Sequence, residues 1–537
     1  MPDANNRRAY LFATCFIALI ATSGGFIVRA MLLDDVWQGM FNLSETNKGE
    51  IFGAGLWPFA ISIVLFSLVI DRIGYKTAMW FAVVCHVIQA AMLITAGLFA
   101  PGNETDPALI EKANAFGYWW LWSGSFVGAL GNGTIEAVIN PVIATVYSKQ
   151  KTKWLTILHS GWPGGLVLGG LLALSTKGLG IAWEFQVAVI LLPVVIYAVM
   201  LGGARFPINE RVAAGIPYLT MLRQAGVLGA FIVVGLIILE LGRVFNITPD
   251  ISNFWILALV MIYGFAIGGA LGRGLFIMLL LLMIPLATVE LGTDGWIKAL
   301  MGPAMAKYGL DGIWVLIYTA TIMMLMRIFV IGPLSKIWSP VGILAFSACF
   351  AAAGIYLLGS VEGAIFILIT ATIYGMGQAF FWPCTLGLVS EQFPEGGALT
   401  LNSIAGVGML GVGIIGAPLL GSLQDSRIHS TLMENPAIHA EFMAADEKTS
   451  VFGMYQSLDQ DTVSELNGQV DELTMAAGDP VVLGELQDKK DMLDGLTADA
   501  KSEALRFAAL PAVFMAVCYF WLIVWFKSRG GYKPVEI

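Results

Sequence analysis

The chain has 537 residues, of which 57% are hydrophobic and 12% charged, with a mean hydropathy of +0.78. Soluble domains carry about 25% charged residues, so half that density excludes a string of water-soluble domains and leaves a polytopic membrane protein. The net charge of −9 is concentrated in one segment near the C-terminus, so it describes that segment and no nucleic-acid partner is expected.

The N-terminus places Arg7 and Arg8 before an apolar stretch too long for a signal-peptide core, which predicts an uncleaved first span at 10–31. Apolar runs then predict five more spans at 48–70, 77–99, 117–148, 154–174 and 184–203. Two further runs at 226–242 and 253–272 follow a basic linker, and six close the chain at 274–293, 312–332, 339–358, 363–389, 399–423 and 505–526. The expected fold class is therefore all-α: two six-helix bundles plus two additional helices, 14 spans in all. The expected units are 1–203 (first bundle), 204–273 (linker and extra helices), 274–423 (five helices of the second bundle), 424–504 (an insert) and 505–537 (last helix and tail).

Lys and Arg in short loops set orientation. Arg7, Arg8, Arg72, Lys76, Lys149, Lys151, Lys153, Arg205, Arg211, Arg223, Lys336, Lys527, Arg529 and Lys533 fall on one side; Lys112, Arg243 and Lys298 are the minority on the other. Both termini are expected to be cytoplasmic, in a plasma membrane of the bacterial inner-membrane kind. The insert carries 17 acidic and 5 basic residues and is extracytoplasmic by parity. Its helical periodicity, broken by Gly478-Asp479-Pro480, predicts a helical hairpin or partly ordered cap, either a solvated loop or a partner site. The five Cys and four His show no metal-ligand spacing, and no phosphate loop or nucleophile–base pattern occurs at bilayer depth. No enzyme and no cofactor are expected.

The two six-span sets read as a repeat. Asp35 and Trp37 recur as Asp294 and Trp296, and aligning Pro141 with Pro383 sets Glu136 opposite Gln378. After the second span stands SLVIDRIGYK, with a degenerate copy, GPLSKIWSP, in the second half. This loop resembles that of the major facilitator superfamily at Asp71, Arg72, Gly74 and Lys76, with Ser67 in place of the first Gly. The resemblance implies a gating loop that locks one side by charge pairing at a helix end. Glu136, Asn140 and Pro141, with VELGTDGWI in the ninth span, further resemble the fucose permease group of sugar/proton symporters. The two extra helices and the large insert depart from that group.

Asn132, Glu136 and Asn140 recur every four residues, so a continuous helix presents them on one face. Polar residues at bilayer depth face a cavity or a partner helix, and desolvation favours the protonated form of a carboxyl, which suits Glu136 to carrying a proton. The competing reading is an ion pair between Glu136 and Arg327. Glu290 and Asp294 are likewise four apart, and Tyr374, Gln378 and Trp382 form a stripe suited to a neutral polar ligand. Arg29 is a candidate cavity charge, and His159 either a packed polar residue or a proton shuttle. The expectation is a secondary active transporter of a small polar solute, sugar-like, working by alternating access. A proton, or sodium, is the coupling ion, and membrane lipid surrounds the chain. Export of lipophilic compounds and a non-transporting receptor on the same fold are the rival readings.

Overall fold

The computed structural model describes residues 4–537 apart from 295, 296, 298–300, 303, 304, 306, 362, 435, 445–447, 451, 452 and 476–478. Trp296 and Lys298 therefore lie outside the described residues.

Fourteen helices among the described residues are long and apolar enough to cross a membrane. In chain order, spans 1–14 are Asn5–Phe41, Asn47–Ile73, Tyr75–Phe99, Pro107–Val146, Ser148–Gly178, Trp183–Gly203, Tyr218–Val244, Pro249–Ile267, Gly274–Gly292, Ile313–Ile337, Pro340–Leu358, Ala364–Gln392, Pro394–Leu432 and Pro480–Lys527. Each overlaps a run expected from hydropathy. Spans 1–6 pack together, and spans 9–14 form a second bundle. The two meet where span 2 lies on span 13 and span 5 on spans 10 and 12. Small residues allow close approach: a Cβ on Gly165 of span 5 would stand 2.0 Å from Ser23 Oγ of span 1.

Spans 7 and 8 form a hairpin that leans on both bundles. Tyr218 at its start donates to Leu68 O of span 2 (2.9 Å), and Phe245 at the end of span 7 meets Trp57. Span 7 also packs along span 13.

The insert is a folded cap. Span 13 runs on to Leu432, and helices Gln460–Met475 and Pro480–Phe507 form the hairpin, with Asp479 capping the second through Val481 N. Ile428, Leu432, Phe442, Leu466, Val470 and Leu493 bury a separate small core. A short antiparallel strand pair, Lys448–Ser450 with Gly453–Tyr455, joins them and was not expected.

Spans 5 and 12 are broken and spans 9 and 10 are widened by π-turns; proline lies at both breaks and inside the continuous helix of span 4. Pro141, Pro163 and Pro383 have no N–H, so Ala137 O, His159 O and Ala379 O lose their i+4 donors. Span 5 divides into Lys151–Leu158 and Gly161–Gly178, and span 12 into Ala364–Gln378 and Phe381–Gln392. The division of span 12 corrects the expected stripe: Trp382 lies beyond the break, so it does not continue the helical face of Tyr374 and Gln378. Single π-turns interrupt span 9 at Thr288–Gly292 and span 10 at Met326–Val330; such turns frequently mark functional sites.

Both chain ends lie on one face, where Tyr10 donates to Met200 O (2.9 Å) and Tyr532 to Glu391 Oε2 (2.6 Å). The bundles are latched here. Lys151 Nζ reaches Ser390 O (3.2 Å) and Glu210 (2.5 Å), and Thr152 Oγ1 donates to Glu391 Oε1 (2.6 Å). Asp71 pairs with Arg211 of the linker at 2.5 Å, Arg72 stacks over Tyr218, and Lys76 Nζ donates to Gly202 O. Gly74 turns the chain between spans 2 and 3 at φ +81°, a conformation that costs glycine nothing. The loop thus pairs through the linker arginine, which abuts Gly397 at the start of span 13.

Candidate functional site

The broken helices converge on one small cavity between the bundles. Glu136, His159, Trp162 and Phe59 line it from the first bundle; Glu290, Leu291, Arg327, Trp382 and Met409 line it from the second.

Arg327 holds the second-bundle side together. Its Nε donates to Ala379 O (2.5 Å), its Nη1 to His159 O (2.7 Å) and its Nη2 to Glu290 Oε1 (2.8 Å). The first two acceptors are carbonyls that Pro383 and Pro163 leave without an i+4 partner; Trp162 N shares His159 O at 3.3 Å. Glu290 is completed from the same break, because Trp382 N, free at the restart of span 12, donates to Oε2 (3.1 Å). Both members of the ion pair sit in π-turns, and both are buried. The geometry assigns Arg327 to Glu290 rather than to Glu136, which replaces the expected structural pair.

Glu136 is held differently. Asn140 Nδ2 donates to its Oε2 (2.8 Å), and Asn140 Oδ1 accepts from His159 Nε2 (2.9 Å). That orientation of the amide requires the Nε2–H form of the imidazole. His159 Nε2 stands 4.0 Å from the carboxylate, beyond hydrogen-bond range. Glu136 is therefore buried with an amide and an imidazole edge as neighbours and no lysine or arginine at contact among the described residues.

The remaining predicted residues divide. Gln378 Nε2 donates to Asp294 Oδ1 (3.2 Å), while Gln378 Oε1 is buried without a partner among the described residues. Tyr374 points away from the cavity and donates to Val289 O of the π-turn (2.9 Å). Asn132 also turns away: its Oδ1 lies 2.8 Å from His86 Nε2 of span 3, inside the first bundle. The face expected from four-residue spacing is thus shared between a bundle interior and the cavity. Arg29 lies in a separate cavity of the first bundle. Asp71 and Lys76, expected from the resemblance to belong to a gating loop, are at the face of the chain ends, away from these groups.

Sequence reasoning missed His86 and Asn402. Asn402 Nδ2 of span 13 crosses between bundles to Ala137 O (2.9 Å), the carbonyl freed by Pro141. The signal was present, since a proline inside an apolar helix announces an acceptor four residues earlier that needs a donor.

A sequence profile of the Major Facilitator Superfamily matches residues 11–418. Among curated proteins the chain is similar to a gentisate transporter of Corynebacterium glutamicum, 26% identical over 161 residues, 29% of this chain and 32% of that protein. The chain thus spans about a third of the length of the curated relative it matches. Among solved structures it resembles the E. coli proton:xylose symporter XylE bound to 6-bromo-6-deoxy-D-glucose, with a TM-score of 0.60, 13% identity and 97% of each chain covered. It also resembles FucP, an E. coli fucose:proton symporter, in its outward conformation: TM-score 0.51, 15% identity, 76% of this chain and 92% of that one.

Proposed function

This chain belongs to the major facilitator superfamily, and from that premise we propose that it carries a small neutral polar solute, sugar-like, by alternating access coupled to protons through Glu136. One observation carries the reading: of the two carboxylates in the inter-bundle cavity, Glu290 is neutralised by Arg327, whereas Glu136 has only amide and imidazole neighbours. A carboxyl so placed is stable when protonated and costly when charged. Binding a proton at Glu136 favours the occluded cavity, and its release on the other side of the membrane makes transport directional.

Charge balance supports a neutral cargo. The cavity holds one cation, Arg327, against two carboxylates, Glu136 and Glu290. An anionic solute would meet Glu290 and Glu136 before it met a free cation. The aromatic faces of Trp162, Trp382 and Phe59 suit a ring. The sugar symporters XylE and FucP share the fold and so favour the same class. An aromatic carboxylate is the second reading, favoured by Arg327 at the wall and by the gentisate transporter among the relatives. We place both termini in the cytoplasm, from the basic loops at the latched face.

The test is uptake into proteoliposomes under an imposed proton gradient. Glu136→Gln should abolish uphill accumulation of the solute while leaving counterflow exchange. Undiminished gradient-driven accumulation in that variant refutes proton coupling through Glu136. A panel of sugars and aromatic acids decides the cargo class.

A further inference from the structure

Asp294 follows span 9 by two residues, on the helical turn that continues the π-turn of Glu290. It is half-buried, and its Oδ1 accepts from Gln378 Nε2 of span 12 at 3.2 Å. Gln378 is wholly buried, and its other amide atom, Oε1, has no donor among the described residues. One turn earlier on span 12, Tyr374 donates to Val289 O of the π-turn. Span 12 is thus fixed to span 9 at both positions, which holds the Gln378 amide beside the Asp294 carboxyl.

The charges here are already matched without Asp294. Glu290, four residues earlier, takes Arg327 Nη2 on Oε1 and Trp382 N on Oε2. Arg327 commits Nε and Nη1 to Ala379 O and His159 O. Among the described residues no Lys or Arg forms an ion pair with Asp294. Spans 13 and 14 also pack on the π-turn, through Val412–Gly416 and Ala509–Lys527. The first segment has no charged residue and the second only Lys527, its last. An ionised Asp294 would therefore add an unmatched negative charge four residues from the Glu290 carboxylate. It would also leave Gln378 Oε1 facing a group that only accepts, and an orphaned buried acceptor is costly.

Protonation removes both faults: the acid is neutral, and it brings the donor that Gln378 lacks. We propose that Asp294 binds a second, exchangeable proton, its Oδ2–H donating to Gln378 Oε1 while Gln378 Nε2 donates to Oδ1. Acid and amide then close a ring of two hydrogen bonds that satisfies every polar atom of both groups. The proton comes from water and returns to it, and the partial exposure of Asp294 gives it the route. Glu136 and Asp294 give the carrier one proton site in each bundle, a role that rests on the proton-coupled reading above.

The experiment is infrared difference spectroscopy of the purified full-length chain at neutral pH, in light and in heavy water, with no solute added. Wild type minus Asp294→Asn should show the carbonyl stretch of a protonated carboxyl, and the band should shift in heavy water because the proton exchanges. Gln378→Leu, which removes the amide and keeps the acid, should move the band to higher frequency. Asp294→Asn should keep the thermal midpoint of the wild type, since an asparagine amide makes both bonds to Gln378, whereas Asp294→Leu makes neither and should lower it. Glu136→Gln should leave the Asp294 band in place, so failure of coupling through Glu136 in the uptake assay and failure of this proposal are separate results. The proposal is overturned if Asp294→Asn removes no such band, if the band does not shift in heavy water, or if it ignores Gln378→Leu. A midpoint lowered as far in Asp294→Asn as in Asp294→Leu overturns it too, because the fold then needs the charge.

Discussion

Replacing Arg327 by Met removes three contacts at once: one ion pair and two bonds to proline-freed carbonyls. Taking one partner from a buried ion pair costs about 3–5 kcal/mol, because the other charge is left uncompensated. The carbonyls add about 1 kcal/mol each, of which Trp162 N recovers part at His159 O. Arg327→Met alone should therefore lose about 4–6 kcal/mol. Adding Glu290→Gln removes the stranded charge and keeps an acceptor for Trp382 N, so the double variant should regain about 2–3 kcal/mol of that loss. Arg327→Lys, which restores the charge but not the fork of donors, should fall between. Unfolding titrations of the wild type and these variants, arranged as a double-mutant cycle, measure the coupling. The reasoning fails if the double variant is no more stable than Arg327→Met, for then Glu290 is not stranded by loss of the arginine.

Asn402→Leu should cost about 1 kcal/mol by freeing Ala137 O again, and Pro141→Ala in the same chain should recover it by restoring the helical N–H; denaturation midpoints compare the two. Truncation after Gly531 removes the bonds of Tyr532, Lys533 and Val535 to Glu391 and Gln392. Spin labels at positions 149 and 336 should then report a longer distance across the latched face, and an unchanged distribution would exclude the tail from the latch. Gly165→Leu drives a side chain into Ser23 and Ile20 of span 1 and should destabilise by about 1–3 kcal/mol, read as a lowered thermal midpoint.

The placement of the spans was legible because hydropathy at a length near 20 residues is a local signal set by the bilayer. So was Glu136, whose charge inside an apolar run needs an explanation wherever it lies. Its partner was not legible. Choosing between Glu136 and Glu290 for Arg327 depends on which carboxylate approaches the π-turn of span 10, a contact between segments 37 or 191 positions apart in the numbering. The Asn132 face was misjudged for a related reason. Four-residue spacing defines a side of span 4, but span 4 is enclosed on nearly every side, so one turn meets His86 and the next meets the cavity. The divisions of spans 5 and 12 were announced by Pro163 and Pro383. What those prolines do not announce is that a single side chain answers both.

The cap has a mechanical consequence. Its helix Pro480–Phe507 continues through Ala508 directly into the membrane helix Ala509–Lys527, and Arg427 on the extension of span 13 is tied to Glu503 at 2.8 Å. Two rods of the second bundle thus rise out of the membrane as one piece. At 1.5 Å per residue the cap helix reaches ~42 Å, so a bundle tilt of ~10° would swing its far tip by ~7 Å. On the proposed alternating access, rocking that moves the inter-bundle cavity only slightly would be magnified at Val481 as the hand of a dial magnifies its spindle. A fluorophore there, read against one at Gly102 in the loop after span 3, follows the cycle without touching the helices that perform it.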